Sequence, residues 1–148
     1  MNGQIDELDR GIIRCLSKDG RMSFTEIATQ LNVTEKTIRS RYKNLIDHEI
    51  LQVVGVVNPT AIGVKAGAII ELMVELMALE QVIEGLRNLR EVRFITTTSG
   101  KYQIMTQIAV PSQDDLSSSF KRIRDIPGII EMNSIIQLNV YKNTFQYI

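Results

Sequence analysis

Ser23-Phe24-Thr25-Glu26-Ile27-Ala28-Thr29-Gln30-Leu31-Asn32-Val33-Thr34-Glu35-Lys36-Thr37-Ile38-Arg39-Ser40-Arg41-Tyr42-Lys43-Asn44-Leu45 is the stretch on which the reading of this 148-residue chain turns. Ser23 and Glu26 have the spacing of a capping box, in which hydroxyl and carboxylate each accept a free backbone N–H at a helix start. The helix they open turns Ile27, Ala28 and Leu31 inward. Asn32-Val33 makes a short turn, and Thr34 caps a further helix over 35–48 whose Ile38, Tyr42 and Leu45 form the buried stripe. Two short helices joined by a three- or four-residue turn, with the small Ala28 permitting close approach, predict a helix-turn-helix.

The other face of that last helix carries the chemistry. Lys36, Arg39, Arg41 and Lys43 place four cations within eight residues that contain no acid, and Thr37, Ser40 and Asn44 add hydrogen-bonding groups between them. A plain solvated basic face would look the same taken alone. The capped helix pair before it favours a duplex-DNA surface, with Lys36, Thr37 and Ser40 against base edges near the helix start. Arg39, Arg41 and Lys43 are then expected to hold phosphates, which fix position without reading sequence.

Working outward, a first helix is expected over 6–17. Leu8, Ile12, Ile13 and Leu16 lie on one face, Asp6, Glu7 and Asp9 stand at the dipole-favoured start, and Cys15 packs beside the stripe. Lys18-Asp19-Gly20-Arg21 punctuates the chain, with Gly20 expected to supply a left-handed stop. After the third helix, Ile50-Leu51-Gln52-Val53-Val54-Gly55-Val56-Val57 reads as a short β-ribbon, which would make residues 1–57 a winged helix. Asn58-Pro59-Thr60-Ala61-Ile62-Gly63 opens a turn-rich linker, 58–65.

Residues 66–148 alternate between the two periodicities. The stretch 66–77 is expected as a strand with Ala66, Ala68, Ile70, Leu72, Val74 and Leu76 on one side and Glu71 and Glu75 beside Ile69, Met73 and Met77 on the other. A helix over 80–90 follows, then strands over 92–98 and 102–110 around Ser99-Gly100. A helix capped by Ser112 comes next, ended by Ile126-Pro127-Gly128, and a strand over 129–141 closes the chain. That order is a ferredoxin-like β-α-β-β-α-β unit, so the fold class is α+β: a winged helix-turn-helix followed by that unit. Both helices fall on one side of the sheet, and the uncovered side predicts a homodimer formed through the sheets.

Composition narrows the classes. Hydrophobic residues at 44% and charged residues at 23% suit a packed core, and no apolar run approaches a membrane span. The first residues have no basic head or apolar stretch, so the cytoplasm is the expected compartment. Net charge is zero, with eight acids and eight bases in residues 1–60 and nine of each in 61–148, so any attraction to nucleic acid must be local. Cys15 is the only cysteine and His48, near a helix end, the only histidine, so no metal site, cofactor or catalytic constellation is expected.

These residues resemble the Lrp/AsnC, or feast/famine, family of transcription regulators. The likeness is carried by Leu8-Asp9 with Ile12-Ile13, by Asp19-Gly20-Arg21 with Ser23 and Glu26-Ile27-Ala28, and by Val33 with Thr37-Ile38-Arg39 and Arg41. It continues through Asn58-Pro59, Gly63, Val92, Thr98-Ser99-Gly100 with Tyr102, and Ile126-Pro127-Gly128-Ile129. The resemblance implies a DNA-binding regulator, assembled into dimers and then tetramers or octamers, that binds an amino acid or other metabolite near the hairpin. Its candidate effector residues here are Thr98, Ser99, Gly100, Lys101, Tyr102 and Gln103. Two positions depart from the pattern. Glu49 stands where the family has glycine; a left-handed cap would cost it about 1 kcal/mol, so a different helix exit is expected. Gln103 stands where the family places Asp and offers a neutral hydrogen bond in place of a charge. Two other readings fit the same architecture: a sirohaem-decarboxylase-like enzyme, and an interaction module without DNA binding.

Overall fold

A computed structural model describes residues 5–142. The chain divides into two compact units, the first ending at Val56 and the second spanning Val57–Tyr141.

Three helices make the first unit: α1 (Glu7–Lys18), α2 (Phe24–Leu31) and α3 (Glu35–Asp47). Each start is capped by its own side chains. Asp6 accepts the Asp9 N–H at 2.9 Å while Asp9 accepts the Asp6 N–H at 3.1 Å, Ser23 and Glu26 do the same for α2, and Thr34 accepts the Thr37 N–H. These bonds satisfy donors that a helix start leaves free. The stripes meet in a core of Ile12, Cys15, Leu16, Ile27, Ala28, Ile38 and Leu45. Asn32 takes the left-handed conformation (φ 54°) that closes α2, and an Asn tolerates this better than most residues.

Three local expectations need correction here. Gly20 is not left-handed; α1 ends at an extended Asp19, whose carboxylate accepts the Arg21 N–H at 2.9 Å and makes the turn itself. Among the described residues the wing does not form. No strand is present over 50–57, and residues 52–57 make no backbone hydrogen bond within the described residues. β-branched residues favour extended backbone, but a ribbon needs a second strand, and no strand of the described residues pairs with this one. Finally, the exit from α3 follows the glycine pattern despite its Glu. Glu49 is left-handed (φ 57°), with Ile50 N–H bonded to Leu45 O at 2.9 Å and Glu49 N–H to Ile46 O at 3.0 Å, the paired bonds of a Schellman end. The two backbone bonds outweigh the steric cost. Glu49→Gly is therefore expected to raise stability by about 1 kcal/mol, read as a rise in thermal midpoint, because the exposed Glu side chain has no hydrogen bond or ion pair among the described residues to lose.

The second unit runs β1 (Ala66–Val74), α4 (Leu79–Arg87), β2 (Val92–Thr97), β3 (Ile104–Val110), α5 (Gln113–Arg124) and β4 (Ile129–Ile136), in a ferredoxin-like β-α-β-β-α-β order. Its antiparallel sheet has the order β2-β3-β1-β4. Alternate residues of β1 and β3 point under the helices, and Ala68, Ile70, Leu72, Ile104 and Ile108 join Val82, Leu86, Leu116 and Ile123 in a closed core. The first and last strands are shorter than expected. After Val74 the chain turns through a 3₁₀ turn at Leu76–Ala78, which leaves Leu76 exposed rather than inward, and β4 stops at Ile136. The opposite sheet face carries Ile69, Met73, Phe94, Met105 and Ile135, half-buried or exposed, with no layer of this unit over it.

Candidate nucleic-acid interface and effector hairpin

Helical geometry puts Ile38 and Leu45 into the core, so the opposite side of α3 faces solvent. Lys36, Ser40, Lys43 and Asn44 occupy that side, all exposed. The side chains of Lys36, Ser40 and Lys43 have no hydrogen-bond or ion-pair partner among the described residues. Thr37 is half-buried at the flank, its hydroxyl 2.8 Å from that of Thr34.

The two arginines are differently placed. Arg39 donates to Glu35 at 2.7 Å and lies 5.1 Å from the centre of the Phe24 ring, while Glu35 also accepts the Thr25 hydroxyl at 2.9 Å. The bonds from Arg39 and then Thr25 hold the Glu35 carboxyl below its usual range. Arg41 turns the other way. Its guanidinium donates to Asp6 at 2.7 Å and to Asp9 at 3.3 Å, the acids of the α1 capping box, and is 39% exposed. Those two carboxylates raise the Arg41 pKa, Asp6 contributing most. Sequence reading assigned Arg41 a phosphate; the structure shows it tying α3 to α1.

The capping acids respond to pH. The backbone N–H of Asp9 and then the Arg41 guanidinium hold Asp6 below the ordinary carboxylate value, and Ser23 does the same for Glu26. A carboxyl with a lowered folded pKa contributes stability that is complete above about pH 4–5 and fades as pH falls through its lowered value. Acid unfolding followed by far-UV circular dichroism is expected to lose part of its pH dependence below about pH 4 in Asp6→Asn and Glu26→Gln, with lower stability at neutral pH.

In the second unit, residues 98–103 link β2 to β3. Thr98 N–H bonds to Gln103 O at 2.9 Å and the Thr98 hydroxyl to Tyr102 O, which closes the loop. Gln103 acts as a brace, accepting the Val74 N–H at 3.0 Å and donating to Lys101 O at 3.1 Å. Ser99 and Gly100 are exposed. Lys101 and Tyr102 converge on Glu131 of β4, at 2.8 and 2.7 Å from its Oε1. Their bonds lower the Glu131 pKa, and Glu131 in turn raises those of Lys101 and Tyr102. Sequence reading missed Glu131. It stands 30 positions from Lys101, and only the sheet brings the two together. No group of His, Cys, Asp and Glu able to hold a metal occurs among the described residues, and none of their helices is long and apolar enough to cross a membrane.

Residues 5–46 match the AsnC-type helix-turn-helix domain and residues 67–147 match the Lrp/AsnC ligand binding domain. An uncharacterized HTH-type transcriptional regulator of Pyrococcus abyssi is 33% identical, over 94% of this chain and 89% of its own length. The HTH-type transcriptional regulator FL11 of the same organism is 30% identical, over 97% and 96%. These relatives are transcription regulators, not enzymes. Among solved structures, E. coli AsnC superposes with a TM-score of 0.87 at 26% identity, covering 95% of this chain and 96% of that one. A Neisseria meningitidis transcriptional regulator in complex with L-Met shares the fold, with a TM-score of 0.87 at 20% identity over 96% and 95%.

Proposed function

This chain belongs to the Lrp/AsnC family of DNA-binding transcription regulators, and from that premise we propose that α3 is its recognition helix. Lys36, Thr37 and Ser40 read base edges in the major groove, and Lys43 and Arg39 take phosphates on either side. One observation carries the assignment: Lys36, Ser40 and Lys43 share the solvent side of α3, unpartnered, directly opposite its buried stripe. Residues 1–57 form the DNA-binding part, 58–65 the linker, and 66–148 the part that pairs subunits and senses a small molecule.

The open sheet face supports a homodimer, because Ile69, Met73, Phe94, Met105 and Ile135 would leave water on pairing with the same face of a second copy. A dimer brings two recognition helices to one duplex, which matches a two-fold-symmetric operator. The effector is read at residues 98–103, and the L-Met complex of the Neisseria protein supports an amino acid or similar metabolite. The cytoplasm is the proposed compartment. Selection of bound fragments from a random DNA pool at near-physiological salt is expected to enrich a two-fold-symmetric motif. Enrichment of nothing, or of a motif without symmetry, would count against the dimeric regulator.

Arg41 is reassigned within this reading as a positioning residue, since its charge is already met by Asp6 and Asp9. Arg41→Ala is expected to weaken binding by tilting α3 while leaving the slope of log K against log salt unchanged. A slope smaller by about one would return Arg41 to the phosphate contacts.

A further inference from the structure

The open side of the sheet is not uniformly apolar. Strand register gives its layout: Phe94, Gln107, Ile69 and Ile135 form one row across the four strands, and Thr96, Met105, Glu71 and Asn133 form the next. Glu71 therefore lies between Ile69 and Met73 along β1 and beside Met105, near the middle of the face. Its Oε2 accepts the Asn133 side-chain amide at 2.7 Å, and its Oε1 has no hydrogen-bond or ion-pair partner among the described residues. The charged groups around it do not neutralise it. Glu131, the next acid on this side, already holds Lys101 and Tyr102. Arg93 stands at the bulge of β2, two strands away on the edge of the sheet. Lys65 comes six residues before Glu71, about 20 Å back along the strand direction, and Glu75 lies past the end of β1. β3 brings only the neutral Met105 and Gln107 to it, and α4 and α5 pack on the other side of the sheet.

We propose that Glu71 governs how firmly this face pairs with a second copy of the chain, taking up a proton as the two faces close. The inference rests on the homodimer through the sheets proposed above. Paired sheets stand about 10 Å apart with side chains filling the layer between them. A two-fold axis through the middle of the face brings the Glu71 of both copies into that layer. Two like charges held there by neutral amides are unfavourable, and the carboxylic acid is the form that such a site prefers. The unpartnered Oε1 can carry the proton. The side-chain oxygens of Gln107 and Asn133 accept nothing among the described residues and can take the hydrogen bond from the other copy. The face thus complements itself when Glu71 is neutral and repels itself when Glu71 is charged. A carboxyl whose pKa rises on association binds protons in the pair, so the dimer gains on its monomers as pH falls through the raised value. That gain is complete below the ordinary glutamate value of about 4.3.

The test is subunit exchange in the full-length protein. Heavy- and light-isotope pools are mixed and native mass spectrometry follows the mixed dimer, with urea at one fixed level in every arm where exchange is slow. One proton taken up per pair changes the equilibrium about tenfold over a pH unit, and changes within one interface fall mostly on the dissociation rate. The wild type is therefore expected to exchange about tenfold faster at about pH 7.5 than at about pH 5.5. Glu71→Gln keeps an acceptor for Asn133 and puts a donor where the acid hydroxyl would stand, so it should exchange at the slow rate at both values. Glu131→Gln, a change on the same face, should keep the wild-type dependence. Equal rates at both pH values in the wild type overturn the proposal, since a cation or water from the second copy then meets the charge. A dependence that survives in Glu71→Gln belongs to another group, His48 among them, and overturns it as well. So does a dependence abolished by Glu131→Gln. A chain that sediments as a monomer at every pH overturns the homodimer itself, whereas a dimer indifferent to pH overturns the role of Glu71 alone.

Discussion

Lys36→Gln combined with Lys43→Gln lowers affinity for duplex DNA by roughly a hundredfold per recognition helix engaged at about 0.1 M salt, and reduces the salt slope by about two. The two cations stand seven residues apart on the solvent side of α3, about 10 Å along its axis, so one duplex groove can meet both. Neither is ion-paired among the described residues, and Glu35, the acid next to Lys36, is taken by Arg39. Each therefore releases counterions in full when it binds, which is worth roughly one unit of slope and close to a factor of ten at this salt. Lys36 also lies in the first turn of α3, where the helix dipole disfavours a cation, so it has no evident part in holding the helix. The double variant should keep the wild-type thermal midpoint while losing DNA. Arg39→Gln should lose less, because Arg39 must first leave Glu35 and the Phe24 ring. An unaltered slope in the double variant would remove this face of α3 from the DNA contact and the regulator mechanism with it.

What could be read from the residues in order, and what could not, separates by the distance over which the deciding interaction acts. The capping residues Ser23 and Thr34 bond within three positions, and the stripes of Ile27, Ile38 and Leu45 repeat within one helix turn or two, so local spacing was enough to place α2 and α3. Alternation likewise placed β1 and β3, because one side of each is closed by helices. What local spacing did not show depends in each case on a partner elsewhere. Arg41 looks like its basic neighbours until Asp6 and Asp9 arrive from 35 and 32 positions away. Glu131 is an unremarked acid in a strand until the hairpin reaches it. The run 50–57 has a strand's composition without a strand's neighbour. Glu49 was misjudged for a related reason: the steric cost is local, but the two backbone bonds that offset it belong to the whole exit.

Gly128→Ala is expected to destabilise the second unit by about 3 kcal/mol, a fall in its thermal midpoint of roughly 15 °C. Two separate costs add. Gly128 has φ +95°, a conformation in which a side chain costs about 1 kcal/mol or more. A Cβ there would also stand 2.3 Å from the Cβ of Ala78, at the start of α4, where no flexible side-chain end can move aside. Relief requires shifting backbone, and Gly128 O already accepts the Glu75 N–H at 2.9 Å, so β1, α4 and β4 are joined at this point. Ala78→Gly separates the costs: it removes the clash and leaves the φ penalty, so the double variant should recover about half of the loss. The same displacement would reach the 98–103 hairpin, because Ile129 pairs with Val74, whose N–H is held by Gln103. Hairpin amide signals should therefore broaden or shift in Gly128→Ala and return in the double variant. A loss below about 0.5 kcal/mol, or no recovery with Ala78→Gly, would show that this corner can yield and that the contact at Ala78 does not set the geometry.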